Sequence, residues 1–471
     1  MPNTKIVATL GPSSDTPEII RSLFEAGVDV FRLNASHGTA EDHVRRIRIV
    51  REIAAEIGSH AGVLLDLQGP KIRLGTFEGG TAFLQTGSTF TITVEPTVGN
   101  AEVASTSYAE FARDLKDGDR VLLADGAVEL QVVDSDGVRV RCKVVSGGVV
   151  GDRKGINLPG VQVSTPSLTR KDMADLQFGL EAGIDMVALS FVRKPSDVLR
   201  LRLYLEEKGA TLPIVAKIEK PEAWESLDDI LNESDGVMVA RGDLGVEMAL
   251  EKVPFIQKSI IERARLHGKF VITATQMLES MVQNPTPTRA EVSDVANAIY
   301  DGTDAVMLSA ETSAGMYPVE AARMMNRIAA EAEVSIRSRG YSDPPHKPHP
   351  THAEIVADVA YRAARSANVQ GIVVFTASGF SARLIARYRP PVPIFAFTQN
   401  AGVARQMNLI YGITPVISSN TGSTDEMLAL MERILLEKKA VRPRESVVFV
   451  AGQPIGRPGS TNLIKLHRIG E

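Results

Sequence analysis

The sequence predicts a (β/α)8 TIM barrel interrupted by a small β-barrel domain and followed by a separate α/β domain. Three observations carry that expectation. Short β-rich apolar runs recur, each trailed by a helix-like segment. Their even spacing breaks once, by about 90 residues of different hydrophobic period. A proline-rich stretch then separates a second alternation of strand-like and helix-like segments.

The runs read TKIVATL (4–10), DVFRLNAS (29–36), GVLLDLQG (62–69), DMVALSF (185–191), PIVAKIE (213–219), GVMVARGD (236–243), FVITATQ (270–276) and AVMLSAE (305–311). Near-continuous hydrophobic strands alternating with helices imply a parallel sheet covered on its outside, and eight such units imply closure into a barrel. The insert contains STFTITVE, DRVLLADGAVELQVVD and VRVRCKVV with Gly and Asp-Gly turns, an alternation that predicts hairpins. RSRGYSDPPHKPHPTH reads as a linker, and GIVVFTASG, PIFAFTQ, ITPVIS and SVVFVAGQ as strands beyond it. The expected domains are therefore a discontinuous barrel over 1–73 and 161–337, an inserted β domain over 74–160, and an α/β domain over 352–471.

With 44% hydrophobic and 23% charged residues, the composition is that of a globular protein with ample core. A net charge of -5 argues against a nucleic-acid binder, so an anionic ligand must be held by a local cluster of cations. The single cysteine, Cys142, excludes an internal disulfide and fits a reducing, cytoplasmic setting. Neither a signal-peptide pattern nor a membrane span is expected.

Active sites of such barrels are built where the strands end, and nearly every predicted strand here ends in polar residues. They are Thr9; Arg32, Asn34 and Ser36; Asp66; Ser190; Lys217 and Glu219; Asp243; Thr275 and Gln276; Ser309 and Glu311. One such residue is ordinary; a ring of them serves stability poorly. Glu219 and Asp243 end neighbouring strands, a pattern that suits Mg²⁺, with salt bridging to Lys217 or Arg241 as the alternative. Lys217 shares a strand face with Glu219, which suits either a Schiff base or a grip on an anionic oxygen. Arg32, Arg73 and Lys154 add cations and suggest a phosphorylated ligand. No zinc pattern, P-loop or dinucleotide fingerprint is present.

The blocks TKIVATLGP, FRLNASHG, GPKIRLG, KGINLPG, ALSFVRKPSD, AKIEKPEAW, VARGDLGVE, TATQMLESM and PTRAEVSDVANAIYDGTDAVMLSAET occur in this order. Over at least residues 4–465 the sequence resembles the pyruvate kinase family, whose layout agrees with the one above. The resemblance implies phosphoryl transfer from phosphoenolpyruvate to ADP, giving pyruvate and ATP. It implies Mg²⁺ (or Mn²⁺) on Glu219 and Asp243, with Lys217 steadying the phosphoryl group and Arg32 on the substrate phosphate. Gly242, Asp243 and Thr275 would line the phosphoenolpyruvate site, and Thr275, Ser309 and Glu311 would serve protonation of the enolate. Asn34, Arg73, Lys154 and the inserted domain's Asp125 belong to the nucleotide side. A homotetramer is usual in the family, with subunits meeting near PTRAEVSDVANA.

Two departures stand out. Where many members read DTKGPEIR this chain has DLQGPKIR, placing Leu67, Gln68 and Lys71 at positions of threonine, lysine and glutamate. Lysine there is similar to the potassium-independent branch, in which a fixed ammonium stands in for the monovalent cation. In FTASGFSAR (375–383), Thr376, Ser378 and Ser381 resemble an effector-phosphate loop, but Ala377 replaces its usual cation. The effector stays open between fructose 1,6-bisphosphate, a sugar monophosphate and a nucleoside monophosphate. A magnesium-dependent pyruvate aldolase would need neither the insert nor the last domain, and a silent regulator would not need Lys217, Glu219, Asp243 and Thr275 together.

Overall fold

The apolar runs form strands because each offers a hydrophobic side chain to both faces, one toward the barrel axis and one toward covering helices. The computed structural model describes residues 2–339, 349–454 and 461–471. Eight parallel strands close in sequence order: Lys5–Leu10, Val30–Asn34, Gly62–Asp66, Met186–Leu189, Ile214–Ile218, Gly236–Ala240, Phe270–Ala274 and Ala305–Leu308. Helices begin where sequence chemistry starts them. Thr39 with Asp42, Thr169 with Asp172, and Thr288 with Glu291 form reciprocal capping boxes at three of the barrel helices.

Strand parity separates structure from chemistry. Val7, Val30, Leu64, Ala188, Val215, Met238, Ile272 and Met307 form one buried cluster inside the barrel. Two positions further along the same faces come Thr9, Arg32, Asp66, Ser190, Lys217 and Ser309. An apolar floor thus supports a polar rim, because successive inward residues differ by two.

Between the third and fourth barrel strands the insert forms a six-stranded curled sheet and a two-stranded ribbon around their own core. Its two connections pair with each other: Leu74 N–H donates to Lys154 O at 2.9 Å, Arg153 N–H to Gly75 O at 3.0 Å, and Ile156 N–H to Ile72 O at 2.9 Å. Asn157 ties this stem to the barrel through Glu247 Oε1 at 3.1 Å.

The C-terminal sheet orders its strands as Ile413–Ile417, Ile394–Thr398, Val369–Phe375, Ser446–Gly452 and Thr461–Arg468, the last antiparallel. It packs against the barrel end opposite the rim, and the barrel's floor residues share one apolar cluster with Ala360, Ile372, Ile385 and Ile410. Arg389 pairs with Asp304 at 2.8 Å and Arg405 with Asp185 at 2.6 Å across this junction. Most of the stretch read as a linker, 340–348, lies outside the described residues.

Gly236 shows how tightly the floor is packed. A Cβ there would sit 2.3 Å from the ring of Phe270, its register partner on the next strand. Gly236→Ala should cost about 1–3 kcal/mol of stability by overpacking, measured as a lower urea midpoint. An unchanged midpoint would show that the ring has room to move.

Candidate active site

The rim residues are joined into one network by charge. Lys217 Nζ lies 2.8 Å from Glu219 Oε1, 3.3 Å from Asp66 Oδ1 and 2.8 Å from Ser190 Oγ. Arg32 Nε donates to the other Asp66 oxygen at 2.7 Å, and its guanidinium donates to Thr9 Oγ1 at 3.0 Å. Asp66 and Glu219 are almost fully buried. Ions so placed persist only when paired.

The titration directions follow. Burial alone would lower the Lys217 ammonium, but Asp66, Glu219 and Asp243 outweigh it and hold it above the usual lysine range. Burial likewise favours a neutral Asp66, yet Lys217 and Arg32 keep its carboxyl below the ordinary value. Glu219 is raised by burial, against the pull of Lys217 and with a further push from Asp243. Three carboxylates face two cations here, so the cluster has room for one more positive charge.

Its neighbours are set by backbone geometry. Phe191, with φ of 55°, turns its N–H onto Glu219 Oε2 at 2.9 Å. Gly242 N–H donates to Thr275 Oγ1 at 2.8 Å, and that hydroxyl donates to Ala274 O at 2.7 Å. Thr275 and Gln276 both have positive φ, 67° and 52°. Arg241 clamps this turn by donating to Thr275 O at 2.8 Å while pairing with Asp294 at 2.6 Å. Glu311 is buried, with its oxygens accepting Leu278 N–H at 3.0 Å and Ser309 N–H at 2.7 Å.

The structure gathers Arg32, Lys217, Glu219, Asp243, Gly242 and Thr275 at the rim. Asn34 lies beside them, its Oδ1 accepting Ser36 N–H at 3.1 Å. Lys71 and Asp125 both come close to Gly155 in the stem: a Cβ there would lie 3.5 Å from Lys71 Cε and 3.9 Å from Asp125 Oδ1. Arg73 donates to Arg153 O at 3.1 Å within the same stem. Lys154 is exposed, and no hydrogen bond joins its side chain to the other predicted residues. In the C-terminal domain Thr376 Oγ1 accepts Gly379 N–H at 3.0 Å, and Ser381 hydrogen-bonds Thr461. Ser378 alone of that trio is exposed.

His37 was missed from the sequence, although it stands in the FRLNASHG loop at the end of the second strand. Partial burial, then Arg73, Lys71 and Arg32, keep its pKa below the usual histidine value. Three cations from two segments thus surround His37 and make an electropositive mouth above the rim. Among the described residues no group of three or more His, Cys, Asp or Glu could hold a metal ion, and no helix is long and apolar enough to cross a membrane.

Fold and rim define a barrel enzyme equipped to handle a small, highly charged anion. Residues 1–322 match the family described as pyruvate kinase, barrel domain, and residues 354–467 match pyruvate kinase, alpha/beta domain. Pyruvate kinase of Mycobacterium tuberculosis is 46% identical over 99% of this chain and 98% of its own length. That of Sporosarcina psychrophila is 44% identical over 100% of this chain and 81% of its own. A crystal structure of a pyruvate kinase from Cryptosporidium parvum superposes with a TM-score of 0.92 at 36% identity, covering 99% of this chain and 96% of that one. The chain belongs to the pyruvate kinase family, and with it to the phosphotransferases.

The cations around His37 set a titration that can be read by NMR. In the free protein it should protonate below about pH 6.5, the unperturbed histidine value. Inorganic phosphate seated among Arg32, Lys71 and Arg73 would cancel part of their field and move the midpoint upward. A midpoint that phosphate leaves in place would separate His37 from the anion site.

Proposed function

We propose that the enzyme transfers the phosphoryl group of phosphoenolpyruvate to ADP, releasing pyruvate and ATP. The observation that carries this reading is the buried Lys217 ammonium, held between Asp66 and Glu219 with Arg32 alongside. Phosphoryl transfer passes through a loose transition state whose charge lies on peripheral oxygens, so fixed cations supply most of the catalysis. Lys217 is aimed by two carboxylates and needs no reorganisation to meet that charge. Arg32 would bind the phosphate of the donor, and Arg73, Lys154, Asn34 and Asp125 would receive the nucleotide as the inserted domain covers the rim and excludes water. The bond from phosphorus to the enol oxygen breaks as the bond to the ADP oxygen forms. The enolate left behind takes a proton at its methylene carbon, supplied by water and relayed by way of Thr275, Ser309 and Glu311.

Glu219 and Asp243 fit one Mg²⁺ (or Mn²⁺): two carboxylates completed by water and substrate oxygens is how that ion is commonly held. The excess of carboxylate at the rim supports this assignment. When bound, the ion would neutralise charge on the phosphate oxygens.

Lys71 takes the place of a potassium ion in this reading. Leu67, which stands where many members have threonine, offers no hydroxyl to such an ion. The C-terminal domain would respond to a phosphorylated metabolite, and the working assembly would be a homotetramer.

A coupled assay for pyruvate should show ADP-dependent product, and Lys217→Met should cut kcat by about 100- to 1000-fold, the scale of losing one fixed transition-state donor. No ADP-dependent product from the parent enzyme would overturn the reaction. In potassium-free buffer the rate should be near maximal; strong stimulation by added potassium would remove Lys71 from its role.

A further inference from the structure

A buried ion pair lies behind the rim and takes no part in the chemistry assigned above. Lys220 Nζ lies 2.6 Å from Glu247 Oε1, and both side chains are almost fully enclosed. A buried pair of this kind is weak evidence for stability, since apolar residues of the same size often serve as well. What sets this pair apart is where its two ends are fixed.

Lys220 follows Glu219 directly. Its ammonium sits 5.9 Å from the ring of Phe191, whose N–H is donated to Glu219 Oε2 at 2.9 Å. Glu247 closes the helix Arg241–Glu247, whose first turn carries Gly242 and Asp243. Asp243 and Glu247 are four residues apart, and so on one face of that helix. The pair therefore bolts together the two segments that bear Glu219 and Asp243.

A third segment arrives from the inserted domain. Asn157 Nδ2 donates to the same Glu247 Oε1 at 3.1 Å. The short strand Ile156–Asn157 pairs with Leu123 and Leu122, just before Asp125, and Lys154 lies just upstream of it. Glu247 Oε1 thus receives two donors, whereas its Oε2 is buried and has no hydrogen bond among the described residues. Lys220 keeps the carboxylate paired whatever the inserted domain does. The neutral Asn157 amide can therefore be released and retaken without stranding a buried charge.

We propose that Glu247 is a positioning residue for the phosphoryl transfer. It is the latch on which the inserted domain closes, and it sets Asp125 and Lys154 in register with Glu219 and Asp243. Asn157 is the releasable half of that latch, and the Lys220–Glu247 pair is the fixed half. Glu247 acts through the segments it joins, which is how a closing domain completes a site and shuts out water. The proposal rests on the reaction given above and adds to it how the nucleotide side is aligned with the phosphate side.

The test removes each half of the latch in the full chain. Asn157→Leu keeps the side chain's size and deletes the donor. Lys220→Met combined with Glu247→Leu replaces the ion pair by apolar residues and leaves no charge unpaired. Asn157→Leu should raise the KM for ADP about fivefold, the scale of one lost hydrogen bond, with kcat changed less than about twofold. A slow, ADP-independent release of pyruvate from phosphoenolpyruvate should appear with it, as water enters the loosened site. Both effects should recur in the double variant, and adding Asn157→Leu to that variant should change them no further, since the acceptor is already gone. In the free protein, hydrogen exchange at the Leu74, Arg153 and Ile156 amides of the stem should quicken in Asn157→Leu, a reading that needs no turnover. The proposal is overturned if Asn157→Leu lowers Tm alone, if it leaves the KM for ADP at the parent value, or if its effect multiplies with that of the double variant. A parent protein that makes no pyruvate from phosphoenolpyruvate and ADP would instead overturn the reaction itself, and stem exchange would still judge the latch.

Discussion

The Lys217 ammonium is the interaction on which the catalytic end of the molecule depends. It sits on the fifth barrel strand and reaches Asp66 on the third, Ser190 after the fourth and Glu219 at its own strand's end. Asp66 passes the connection to Arg32 on the second strand, Arg32 to Thr9 on the first, and Thr9 Oγ1 to Leu308 O on the eighth at 2.8 Å. One chain of charge-assisted and neutral hydrogen bonds thus runs around most of the rim. Each buried ion would be costly alone, and together they fix one another's positions. Preorganisation and stability come from the same contacts.

Much of the fold is legible in the chain because the signal is local. Val63, Leu65, Val237 and Val239 face the helices while Leu64 and Met238 face the axis, so the strands read as unbroken apolar runs. The rim was legible for the same reason: Lys217 and Glu219 share a parity with Val215, and a charge at the end of such a face has to point into the barrel mouth. What stayed hidden depends on groups without a sequence signature. Phe191 contributes a backbone N–H that any residue could offer, released by a positive φ that only tertiary context imposes. Arg241 reads as an alternative salt-bridge partner for the rim carboxylates, yet it holds a turn that begins more than thirty residues later. The 375–383 loop was recognised, but which hydroxyls would be turned inward was settled by Gly379 and Thr461.

The C-terminal domain is built into the barrel rather than hung from it. Lys5 Nζ donates to Ile413 O at 2.9 Å, Tyr411 N–H to Asp304 at 3.1 Å, and the floor of the barrel and the underside of the sheet share one apolar cluster. Asp304 meanwhile accepts Val271 N–H at 2.9 Å, so one carboxylate serves a barrel strand and the neighbouring domain. A change in how that domain packs would be felt first at the strands' starts, and those same strands end in Thr275 and Ser309.

The stem of the inserted domain carries a different implication. Its outgoing and incoming chains lie side by side, hydrogen-bonded from Ile72 to Gly75 and from Arg153 to Ile156. A domain that enters and leaves through one point interrupts its host in sequence but hardly in space. The third and fourth barrel strands pair directly, Leu64 with Met186 and Asp66 with Ala188, as though nothing had been placed between them. The barrel is therefore geometrically complete without its guest, which is how some 90 residues could be accepted at this position without redrawing the sheet that received them.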